Sequence, residues 1–125
     1  MPRILIVDDD PSLVQLLTMA LKTPETEIAS AGDPSEGLAV CRQFHPDIIL
    51  LDYHLPGDTG AHLFETLRRN TATAKTPILF MSAVATADHM LREVADPKFS
   101  RFMPKPVHIA DLQRNIQEML AGAES

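Results

Sequence analysis

The sequence predicts an α/β fold in which five parallel strands, in the order 2-1-3-4-5, carry helices on both faces. Three observations lead there. Short apolar runs at Ile4–Val7, Ile48–Leu51 and Ile78–Met81 have the length and branching of strands buried on both faces, as in a parallel sheet. The segments between them place apolar residues at helical spacing, so strands and helices alternate and right-handed crossovers generate a doubly wound sheet. The 125 residues are 45% hydrophobic with ten Pro and five Gly, which suits one domain whose core needs no staples. That domain is expected to span residues 1–121, with residues 122–125 as a tail.

The first strand runs from Arg3 to Asp8 and exits into Asp8-Asp9-Asp10. Asp10 reads as an N-cap with Pro11 at the first helical position, opening a helix through Lys22 with Leu13, Leu17, Ala20 and Leu21 on one face. Glu25 to Ala31 form a weaker strand, placed at the sheet edge. Asp33-Pro34-Ser35-Glu36 repeats the cap-then-Pro opening, with Glu36 as the third residue of a capping box, and that helix runs to about Phe44 before Pro46 stops it. The third strand follows at once. Ala61 to Asn70 carry Leu63, Phe64 and Leu67 at helical spacing, and Thr71 to Thr76 form a polar connector. Pro77 opens the fourth strand, which ends in Ser82-Ala83. Thr86 caps a helix to about Asp96 with Met90, Leu91 and Val94 inward, and its shortage of large apolar residues makes it the helix expected to move most. Phe99 to Lys105 is the fifth strand. Pro104 and Pro106 flank Lys105, so the lysine is expected beyond the ladder and not within it. Ile109, Leu112, Ile116, Met119 and Leu120 mark a last amphipathic helix.

Charge and composition narrow the function. Eleven basic against 17 acidic residues give a formal charge of −6, with no Lys/Arg run to follow phosphates, so direct nucleic-acid binding is not expected. No apolar run reaches the roughly 20 residues of a membrane span, and the N-terminus lacks the order of a signal peptide. Cys41 is the one cysteine and sits among Leu38, Ala39, Val40 and Phe44, which reads as a small core thiol and fits the cytoplasm. His45, His62, His89 and His108 fall at helix ends or on solvent faces without zinc spacing. Met19, Met81, Met90 and Met119 sit at core periodicity.

The chemistry gathers at the strand ends. Asp52 closes the most buried run of the chain, and in open parallel sheets ligands collect at this end of the strands. A lone strand-end Asp is more often a turn cap, but here three other strands also end in charged or reactive groups. Strands one and three are neighbours where the strand order reverses. That brings Asp8, Asp9 and Asp52 into one pocket, with Ser82 and Lys105 closing its other side. Three carboxylates repel one another unless a cation sits among them, and a hard divalent ion such as Mg²⁺ takes oxygen ligands of this kind. An ionised carboxylate can attack phosphorus to give an acyl phosphate. Lys105 then supplies charge and the Ser82 hydroxyl a hydrogen bond to the phosphoryl oxygens.

These residues resemble the receiver domain of two-component response regulators. The resemblance covers essentially the whole chain: Val7-Asp8-Asp9, Asp52 with Pro56 and Gly60, Ser82-Ala83 and Lys105-Pro106. It implies a flavodoxin-like fold in which Asp52 accepts a phosphoryl group from a phosphohistidine on a sensor histidine kinase or histidine phosphotransfer protein. It also implies Mg²⁺ held by Asp8, Asp9, Asp52 and the backbone carbonyl of His54, and a cis peptide between Lys105 and Pro106. Ser82 and Phe102 would act as the switch, changing the surface of the helix from Thr86, the fifth strand and the helix from His108, through which a homodimer can form. Three positions depart from the pattern: Leu55 for the frequent Met, Phe102 for the commoner Tyr, and Asp96-Pro97-Lys98 for Gly-Ala. Two other readings stand beside it. A phosphate-independent receiver-like module would have lost an acid or the lysine, and none is lost. A haloacid-dehalogenase-like phosphatase would share the Asp8-x-Asp10 pattern, but Pro11-Ser12-Leu13 continues it poorly, its later acidic motif is absent and the chain is short.

Overall fold

The computed structural model describes residues 2–55, 58–82 and 99–123. Its main strands are β1 (Arg3–Val7), β2 (Glu27–Ala31), β3 (Ile48–Asp52), β4 (Ile78–Ser82) and β5 (Ser100–Pro104). They form one sheet in the order β2-β1-β3-β4-β5, every pair parallel. The described helices are α1 (Pro11–Leu21), α2 (Pro34–Phe44), α3 (Gly60–Arg69) and α4 (Ile109–Ala123). The fold is the expected one. The helix expected from Thr86 to Asp96, with His89 and the departure at Asp96-Pro97-Lys98, lies outside the described residues.

Alternation along the central strands divides the core in two. Leu5, Val7, Ile49, Leu51, Ile78 and Phe80 pack with Cys41, Leu63, Phe64 and Leu67 of α2 and α3. Ile4, Ile6, Ile48, Leu50, Leu79 and Met81 pack with Leu17, Leu21, Leu112, Ile116 and Met119 of α1 and α4. β3 and β4 are buried throughout, because both faces are covered and both edges paired. β2 and β5 are the edges, and β2 is the less buried of the two.

The helix starts follow their caps. The Asp10 side chain accepts from the N–H groups of Ser12 (3.0 Å) and Leu13 (3.3 Å), and Asp33 accepts from Glu36 N–H at 2.8 Å. The Glu36 carboxylate reaches back to the N–H of Gly32, at 3.4 Å, one residue before the cap itself. α2 ends on His45, left-handed at φ 52° with its N–H on the Cys41 carbonyl, and Pro46 prevents continuation.

Some local expectations differ from the structure. β1 ends at Val7, leaving Asp8 just beyond it; β5 is shorter than expected, Ser100–Pro104, and leaves Lys105 past its end, where the flanking prolines place it. After β3 the chain makes a small antiparallel ribbon, His54–Leu55 with Asp58–Thr59, which no run in the sequence marks. α4 continues to Ala123, two residues past the expected end of the domain, since its small residues tolerate a helix. Met19 is 71% exposed and not core. It lies two residues from both Leu17 and Leu21, about 200° around the helix from each, and therefore faces away from the sheet.

Candidate functional site

Every group singled out at the strand ends lies at the carboxyl edge of this sheet. Asp52 is the last residue of β3 and only 4% exposed; Asp8 follows β1 and is 2% exposed. Both are buried because the strands that carry them are the two at the centre of the reversal. Asp9 is exposed at the rim. One carboxylate oxygen from each of Asp8, Asp9 and Asp52 lies within 4.8 Å of the others.

Lys105 comes from the other side. Its N–H donates to the Ser82 carbonyl at 2.7 Å, which carries the ladder one step past β5, and its peptide bond to Pro106 is cis. From there Nζ donates to Asp8 Oδ2 at 2.9 Å and stands 3.5 Å from Asp52 Oδ2. Burial disfavours the ammonium, but the hydrogen bond and charge of Asp8 and the charge of Asp52 outweigh it, so the lysine pKa is raised. The other oxygen of Asp8, Oδ1, accepts the N–H of Asp10 at 2.9 Å. Asp8 is therefore held at both oxygens.

Ser82 ends β4, buried and in register with Pro104. Phe102 lies opposite Phe80 in the β4–β5 register and packs, half-buried, on the core beneath α2 and α3. His54 belongs to the ribbon through its backbone, paired with Thr59. Pro56 and Ala83 lie outside the described residues.

This donor set fits a small, hard cation. Two ligands on one Mg²⁺, each about 2.1 Å from it, are at most about 4.2 Å apart, so the carboxylate oxygens are grouped on the right scale for direct or water-bridged binding. All are hard oxygens, and one ammonium leaves the group net negative.

Two contributors were not singled out in the sequence. The Asp10 backbone N–H orients Asp8, although only the side chain of Asp10 announces itself, as a cap. Tyr53, directly after the acceptor candidate, is 6% exposed and meets Phe80 edge-on, with ring centroids 6.2 Å apart. Its place at the end of the apolar run was the available signal. A cavity of about 760 Å³ opens at the opposite, amino-terminal end of the sheet, between Pro2, Pro46, Pro77 and Leu120. None of the grouped carboxylates lines it. Among the described residues no helix is long and apolar enough to cross a membrane.

Comparison with known proteins agrees with this geometry. The family model for the response regulator receiver domain matches residues 4–117. The chain is 31% identical to the DNA-binding dual master transcriptional regulator RpaA of Synechocystis sp., over 96% of this chain and 49% of that protein. It is 33% identical to protein PilH of Pseudomonas aeruginosa, over 98% of this chain and 100% of that one. It thus spans about half the length of the first and the whole of the second. A solved CheY-like response regulator receiver domain protein from Methanospirillum hungatei matches with a TM-score of 0.86 at 28% identity, covering 99% of this chain and 97% of that one. With the family model spanning all five strands and most of the last helix, the chain belongs to the response regulator receiver domain family.

Proposed function

We propose that Asp52 is the phosphoacceptor of this receiver domain, and that the phosphoryl group comes from a phosphohistidine on a sensor histidine kinase or histidine phosphotransfer protein in the cytoplasm. The observation that carries this is the placement of Asp52: a buried strand-end carboxylate with an ammonium 3.5 Å away and two further carboxylates beside it. An Asp52 oxygen attacks phosphorus, forming a P–O bond as the P–N bond to the donor imidazole breaks and its electron pair returns to nitrogen. Water later cleaves the aspartyl phosphate, releasing phosphate and restoring the carboxylate. The domain catalyses only these changes to itself.

Asp8, Asp9 and Asp52, with the backbone carbonyl of His54, would hold Mg²⁺, which supplies charge to neutralise the phosphoryl oxygens. Asp8, whose two oxygens already serve Asp10 and Lys105, would take part through water. Lys105 shifts from Asp8 and Asp52 towards the new phosphoryl oxygens, and the Ser82 hydroxyl donates to one of them. Movement of Ser82 frees space beside β4 for Phe102. The surface of β5, α4 and the helix expected from Thr86 then changes, and a homodimer through that face is an output it would serve.

The test is incubation with a labelled phosphohistidine protein or acetyl phosphate. The expected result is Mg²⁺-dependent label that accumulates, is cleaved by hydroxylamine and decays slowly. Rapid turnover without accumulation would point to a phosphatase, and no label under any donor to a phosphate-independent module. Either outcome overturns the proposal.

A further inference from the structure

We draw no further inference here: the strongest candidate, the uncharged outer face of α1 where Leu16 and Met19 are exposed, carries nothing because nothing in the structure shows what covers it.

Discussion

Lys105 holds together a site that would otherwise push itself apart. Its ammonium lies between two buried carboxylates, 2.9 Å from one and 3.5 Å from the other. Replacing it with Met, of similar length and no charge, leaves Asp8 buried beside like charges. Removing one partner of a buried pair costs about 3–5 kcal/mol, and the low end applies because the lysine side chain is 20% exposed. Urea unfolding in chelator is expected to show Lys105→Met destabilised by about 3 kcal/mol, and Mg²⁺ at 100 times its dissociation constant to restore about 2.7 kcal/mol. Equal stability of the two proteins in chelator would contradict this. The sign with pH follows from the raised lysine pKa. A folded pKa above the unfolded one stabilises fully below the ordinary lysine value of about 10.4 and is lost as pH climbs through the folded value. The gap between wild type and variant should therefore stay level through neutral pH and close in alkali. At this scale the sequence was legible where a residue type has one sensible task, as with strand-end acids and a lysine between prolines. It was not legible for Met19, whose apolar side chain satisfies a core pattern loosely while its angle on α1 sends it to solvent.

At the scale of elements, the close approach of α2 to β1 supports the strand that presents Asp8. Gly37 permits it: a Cβ there would stand 3.3 Å from both Val7 methyl carbons and 3.4 Å from Leu63 Cδ2. Gly37→Ala gains up to about 1 kcal/mol of helix propensity but overpacks a site where extra methyl groups cost about 1–3 kcal/mol. A net loss of about 1 kcal/mol is expected in denaturant unfolding. A stabilised variant would mean that Val7 and Leu63 yield freely. Sequence reading treats a helical Gly as a weakness, because its packing partners come from elsewhere in the chain and carry no local mark. The strands were readable for the opposite reason: burial on both faces writes itself as an unbroken apolar run. The ribbon at His54–Leu55 and Asp58–Thr59 is too short for any periodicity to form. Asp10 and Asp33 were readable as caps since the preference for Asp before Pro is a local one.

Across the whole molecule, the parallel sheet converts five strand ends into one rim, and distant residues meet there. Lys105 and Asp8 are 97 positions apart in sequence yet share a hydrogen bond. The strand order made that meeting foreseeable, although the preference of the lysine for Asp8 over Asp52 depended on distances that no pattern encodes. The core beneath α2 and α3 links this rim to β5: Tyr53 touches Phe80, Phe80 touches Phe64, and Phe102 packs on the same cluster. If Phe102 reports the state of the rim, Phe102→Ala should still be phosphorylated. Beryllofluoride should then protect the amides of β5 and α4 in wild type and much less in the variant. Equal protection in both would make Phe102 ordinary core. All of this depends on Asp52, and the substitution Asp52→Asn tests it most directly, since the amide keeps the shape of the carboxylate but is a far weaker nucleophile. With Mg²⁺ and a phosphorylated donor, the account expects a folded variant that takes up no label; undiminished, hydroxylamine-sensitive label on the variant would contradict it and move the chemistry to another residue.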